Sequence, residues 1–244
     1  YTRGDIFFVL DLQHHIQLKH ADYFELLRNH GVTVKFLVYD LLPIQYPHFF
    51  WDRSLSQLHA EWIELVTRSD GAIFISHATQ KAFEQFVESK GLTLPPQFSL
   101  DVVHIGADIE SATGSRGLPP DAKTIIRKLK SRITFLQVST VEPRKAQGQV
   151  LEAFELLWSE GVDACLVFVG NKGWAQDGLE QSIEDHPEIG RRLFRLKGIS
   201  DQFLDEVYKA SSCLIAASID EGFGLPVVEA AIHGIPIIAR DIPV

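Results

Sequence analysis

The tightest constraint on the fold lies at residues 213–239. Cys213-Leu214-Ile215-Ala216-Ala217-Ser218 is apolar and short enough for a buried strand. The stretch Glu221-Gly222-Phe223-Gly224-Leu225 follows, and Pro226 sits where a first helical residue would sit, its missing N–H being unneeded there. Gly234 closes that helix, and Pro236-Ile237-Ile238-Ala239 reads as the next strand. The segment is therefore strand, glycine loop, helix, strand. In an open α/β sheet, ligands bind outside the carboxyl ends of the strands, where this loop lies. The free N–H groups of a helix start favour an anion, and Gly222 and Gly224 let the backbone approach it. Glu221 and Glu229 flank the loop. Carboxylates repel phosphate but accept hydrogen bonds from hydroxyls, so the combination suits a sugar nucleotide.

The same alternation runs through the chain. Strands are predicted at residues 5–11, 32–39, 71–76, 100–105, 133–139, 164–169 and 193–199. Helices are predicted at 22–29, 55–68, 77–89 and 149–159, and a further one capped by Ser200. This order implies α/β architecture with parallel sheets and helices on both faces. Between 109 and 131 the pattern breaks at Ser111, Thr113, Gly114, Ser115, Gly117, Pro119 and Pro120, which read as a linker. The expected organisation is a first domain at 1–108, the linker at 109–131 and a second domain at 132–244.

Composition excludes some classes. A net charge of −9 argues against broad electrostatic binding to nucleic acid. No apolar run approaches a membrane span, and no leader is visible at the start. Cys165 and Cys213 lie in strand-like apolar runs and read as buried reduced thiols, which suits the cytoplasm. His14, His15 and His20 match no standard metal-ligand spacing. The chain has no Met and begins and ends within α/β patterns, which reads as a piece of a longer protein, truncated at both ends.

Glu-Gly-Phe-Gly-Leu-Pro, with Glu229 eight residues after Glu221, resembles the E-x7-E motif of retaining glycosyltransferases of family four (group 1 glycosyl transferases). That resemblance implies the GT-B arrangement of two Rossmann-like domains, with the donor on the second domain and the acceptor facing the first. It is strongest from Ile133 onward. The Tyr39-Asp40-Leu41-Leu42-Pro43 run and the Glu142-Pro143-Arg144-Lys145 loop look most like mannosyltransferases of surface polysaccharide assembly, with GDP-mannose as donor.

The resemblance also assigns roles. Glu221 reaches the donor sugar hydroxyls, with the backbone of Phe223, Gly224 and Leu225 near sugar and diphosphate. Glu229 takes the two ribose hydroxyls. Lys145, with Arg144 as a second candidate, meets the charge that builds on the leaving diphosphate. Many members carry Gly-Arg at the end of the preceding strand, where this chain has Ser139-Thr140. Gly170 and Lys172 border the base, and Asp40 faces donor sugar and acceptor. Glu221, Lys145 and Asp40 are the candidate catalytic residues. For Asp40 an Asx-type turn before Pro43 is an equal reading. Tyr46, Phe49, Phe50 and Trp51 could stack on an acceptor sugar or belong to a core.

No Asp is followed two positions later by another Asp, the pair that commonly holds a divalent ion in metal-dependent glycosyltransferases. The expectation is therefore no metal and no cofactor, with retention of configuration and no side-chain nucleophile. Expected partners are the nucleotide sugar and a glycan or lipid-linked glycan, with at most peripheral membrane contact, in the cytoplasm or on the inner face of the cell membrane. Two rival readings share the fold: a non-catalytic nucleotide-sugar-binding module, and a GT-B-like sugar-nucleotide epimerase.

Overall fold

The computed structural model describes residues 1–50, 52–105, 114–174 and 177–244. The chain divides into two compact units. The first holds Tyr1–Ile105 together with Glu221–Phe223 and Pro243–Val244. The second holds the described residues up to Asp220 and resumes over Gly224–Ile242.

The first unit runs β1 (Ile6–Val9), α1 (His14–Lys19), α2 (Ala21–Asn29), β2 (Thr33–Val38), α3 (Leu42–Gln45), α4 (Arg53–Thr67), β3 (Gly71–Phe74), α5 (His77–Ser89) and β4 (Ser99–Val102). The four strands are parallel in the order β1-β2-β3-β4. Alternation sorts their side chains. Val34, Phe36, Val38, Ala72 and Phe74 turn into a core with Trp62, Ile63, Val66, Phe83 and Phe86. The opposite face carries Phe8, 46% exposed, and a Lys35–Asp101 ion pair at 2.8 Å. Helices thus line one face of this sheet, where the sequence pattern had implied both. Two of the helices start on predicted or local caps. Ser76 Oγ accepts from Thr79 N, and the Asp52 carboxylate accepts from Ser54 N.

The second unit runs α6 (Ala122–Lys130), β5 (Ile133–Val138), α7 (Gln147–Ser159), β6 (Ala164–Val169), α8 (Asp177–Glu184), β7 (Leu193–Leu196), α9 (Asp201–Ala210), β8 (Cys213–Ala216), α10 (Leu225–Ile232) and β9 (Ile237–Ala239). Its five parallel strands are ordered β7-β6-β5-β8-β9. Here both faces are packed. Along β6, Cys165, Val167 and Val169 join Leu129, Phe203, Val207 and Ala230 on one side. Ala164, Leu166 and Phe168 join Val150, Phe154, Trp158 and Ile183 on the other. A strand buried on both faces reads as a continuous apolar run, as β6 does.

Two sequence expectations need correction. Part of the linker expected at 109–131 lies outside the described residues, but from Gly114 onward the chain is docked on the second unit. Ser115 N and Oγ both donate to Asp201 Oδ2 at 2.7 Å, and Ala122 and Leu129 of α6 enter the core. The signal was present: Ala122, Ile125, Ile126 and Leu129 recur at helical spacing, and the preceding Pro119-Pro120 suits a helix start. Second, α10 begins at Leu225, so Pro226 is its second residue. The first four N–H groups of a helix lack partners, so proline fits there equally well.

Candidate functional site

In the second unit, β5 lies between β6 and β8. The chain leaves β5 toward α7 on one face and leaves β8 toward α10 on the other. Loops that part to opposite faces open a crevice beyond the strand ends, the topological switch point of such sheets. Within this unit Glu142–Lys145 follows β5, and Gly224 with the start of α10 follows β8.

Arg144 ties these loops together. Its Nη1 donates to Asp220 O at 2.5 Å and its Nη2 to Glu142 Oε1 at 2.6 Å, while Ile219 N donates to Arg144 O at 2.9 Å. Glu142 is buried, 2% exposed, and its other oxygen accepts from Thr140 Oγ1 at 3.2 Å. A buried carboxylate requires such pairing. Arg144, a candidate phosphate cation by resemblance, thus also braces the two loops, and Glu142, the acid it pairs with, is a residue the sequence does not single out. Lys145 follows in the same loop, its carbonyl held by Gln137 Nε2 at 2.7 Å. Ala146 then adopts a left-handed conformation, φ 55°, which turns the chain into α7.

The loops after β5 and β6 are stitched at the backbone: Val141 N donates to Asn171 O and Gly173 N to Val141 O, both at 3.0 Å. Gly170 has φ 138°, and a Cβ there would lie 2.0 Å from Ser139 O. Close backbone approach therefore accounts for the glycine on its own. Lys172 is exposed beside it.

Gly224 caps α10 with φ 88°, a left-handed turn that favours glycine. Glu229 lies just over one turn into that helix, and its Oε2 accepts from Tyr208 Oη at 2.6 Å. Tyr208 is 1% exposed. Burial, and secondarily the Glu229 carboxylate, push its phenol far up, so it is a donor at every physiological pH. The His233 ring stacks on Tyr208 at 4.7 Å between centroids. His233 Nδ1 lies 2.8 Å from Glu229 O and Nε2 lies 3.0 Å from Asp205 Oδ1. The sequence singles out Glu229 but not its neighbours Tyr208, His233 and Asp205.

Glu221, Gly222 and Phe223 group with the first unit, as does Asp40. Asp40 follows β2, and its Oδ1 accepts from Leu42 N at 3.0 Å, which realises the Asx-type turn. Asp40 O accepts from His59 Nε2 at 3.0 Å. A carbonyl only accepts, so His59 carries its proton on Nε2, and its Nδ1 accepts from His14 Nε2 at 2.7 Å. Burial lowers both rings to about 4, with the neighbouring His59 a further cause for His14. His14 thus partners His59, a residue the sequence had not singled out. Tyr46 stacks with Phe49 at 5.8 Å, and both are half-buried. Trp51 lies outside the described residues. Cys165 and Cys213 are buried free thiols whose pKa burial raises, hence unreactive. Among the described residues, no helix is long and apolar enough to cross a membrane.

Two parallel α/β units, the second doubly wound with its loops parted at a switch point, define a Rossmann-like type of fold. The chain's structural neighbours are GT-B glycosyltransferases, and it shares their α/β fold with parallel sheets. One neighbour is Anabaena Alr3699/HepE, crystallised in complex with UDP and glucose: TM-score 0.67 and 19% identity over 96% of this chain and 59% of that one. Another is α,α-trehalose 6-phosphate synthase from Burkholderia multivorans: TM-score 0.66 and 17% identity over 97% and 57%. At such identities the likeness speaks for the fold alone. Residues 121–244 match the family "Glycosyl transferases group 1", and the chain belongs to that family. It is 35% identical to the serotype-specific mannosyltransferase WbdA of Escherichia coli over its full length, which is 30% of that protein. It is 25% identical to the O-antigen chain mannosyltransferase RfbU of Salmonella typhimurium over 90% of this chain and 54% of that one.

Proposed function

We propose that this chain serves in a retaining, metal-independent mannosyltransferase that moves mannose from GDP-mannose to a glycan or lipid-linked glycan during O-antigen-type polysaccharide assembly. The observation that carries the reading is the start of α10. Leu225 opens the helix behind the left-handed Gly224, and Glu229 stands one turn further on. An anion at the helix start and a hydroxyl pair at Glu229 are the two ends of a nucleotide diphosphate. The names of WbdA and RfbU support mannose and the O-antigen chain. Lys145, in the facing loop, meets the charge that develops on the departing diphosphate, in place of a metal. Glu221 holds the donor sugar, and Asp40 faces sugar and acceptor. The departing phosphate oxygen takes the proton of the incoming hydroxyl on the same face, so configuration is retained and the protein supplies positioning and charge. The reaction belongs in the cytoplasm, at most peripheral to the inner face of the membrane.

Calorimetry with GDP, UDP and ADP tests the base, and nucleotide release tests the reaction. Release of GDP from GDP-mannose only when a mannan-type acceptor is present is the expected result. Binding without turnover would point to a binding module, and release without acceptor to epimerase-like chemistry or hydrolysis.

A further inference from the structure

We propose that Tyr208 is a positioning residue for nucleotide recognition, aiming the Glu229 carboxylate at the ribose diol. The inference rests on the role given to Glu229 above. A glutamate on a helix surface samples many rotamers, and a ligand that uses it must first order it. Here the ordering is built in. Tyr208 Oη donates to Oε2 at 2.6 Å from a ring that is 1% exposed. That ring is pinned in turn. Phe203 and Val207 pack with it in the core, and His233 lies flat against it at an interplanar angle of 17°. His233 is itself fixed between Glu229 O and Asp205 Oδ1. One phenol proton therefore occupies one carboxylate oxygen. A carboxylate has about four acceptor sites, so Glu229 keeps acceptor capacity for two further hydroxyls.

The chemistry that would be recognised is a vicinal diol, as on any ribonucleoside diphosphate, so the test does not depend on the base. The probes are GDP, UDP and 2′-deoxy-GDP, titrated calorimetrically into wild type, Tyr208→Phe, Glu229→Gln and the double variant. Phenylalanine keeps the ring and its stacking and removes only the donor. Tyr208→Phe is expected to weaken binding of the ribonucleotide the wild type prefers by about fivefold, the worth of roughly 1 kcal/mol. Binding of 2′-deoxy-GDP should change less, so discrimination between ribose and deoxyribose narrows. In turnover assays KM for the donor should rise by a similar factor with kcat within about twofold. In the Glu229→Gln background the Tyr208 effect should shrink.

Three results overturn the inference. One is unchanged affinity and discrimination in Tyr208→Phe. Another is an equal loss for ribose and deoxyribose nucleotides. The third is the same loss whether or not Glu229 is present. If Glu229→Gln binds nucleotide as wild type does, or wild type binds neither GDP nor UDP, the functional reading itself fails. If Glu229→Gln weakens binding and Tyr208→Phe does not, only the positioning role fails.

Discussion

Arg144 and Asp220, 76 positions apart in sequence, are joined by a 2.5 Å hydrogen bond from guanidinium to backbone carbonyl. The same guanidinium pairs with Glu142, a carboxylate that is 2% exposed. The loops at the ends of β5 and β8 are thus held at a fixed spacing before any ligand arrives. Removing one partner of a buried pair strands the other charge. Arg144→Ala should therefore cost about 3–5 kcal/mol of stability, read as a lower denaturation midpoint. Arg144→Lys should recover only part of it, because an ammonium cannot reproduce the planar fork. A midpoint unchanged in Arg144→Ala would mean that the brace is dispensable.

Lys145 and Glu221 should behave differently from Glu229. Lys145→Ala is expected to lower kcat by about 10²–10³, the usual loss for one preorganised transition-state donor. Glu221→Ala should spare nucleotide binding and lower turnover, whereas Glu229→Ala should weaken nucleotide binding. Calorimetry with GDP and steady-state kinetics separate the three. Normal turnover in both glutamate variants would show that the site has been assigned to the wrong residues.

His59 is expected to make the first unit acid-sensitive. It is 1% exposed, donates to Asp40 O, and has its pKa lowered from 6.5 to about 4, by burial first. A folded state that keeps the ring neutral binds fewer protons than the unfolded chain between those values. Its contribution is complete above pH 6.5 and is lost as pH falls toward 4, about 3 kcal/mol in all. Urea midpoints taken from pH 7.5 to 4.5 should fall accordingly. A His59→Asn variant should start lower but show a shallower decline; a parallel decline would assign the sensitivity to other groups.

Gly170 should be intolerant of any side chain. Alanine there would have to hold φ 138° with its Cβ 2.0 Å from Ser139 O. Gly170→Ala is expected to cost about 3 kcal/mol or more and to loosen the stitched loops after β5 and β6. Hydrogen exchange at Val141 N and Gly173 N would report that loosening directly. Protection equal to wild type would refute it.

What the sequence alone determined is what short-range physics determines. The strand at 164–169 and the helix at 77–89 were legible to the residue, because apolar period and the cap at Ser76 are local signals. Ser200 as a cap was legible for the same reason, its Oγ accepting from Phe203 N. So was the glycine loop leading to Glu229. The short polar helix α1 was not, because what secures it is distant: Gln17 on it is buried and accepts from Trp62 Nε1, 45 positions away.

Only the tertiary structure decided the partners. Tyr208 and Glu229 stand on separate helices that cover the same side of the second sheet, and no periodicity announces their hydrogen bond. The bonds from Arg144 to Asp220 O and Glu142 were equally invisible, since an exposed and a buried arginine share one letter. A side chain's neighbours are set by strand order, and strand order follows from how the apolar faces pack, not from the residues beside it in the chain.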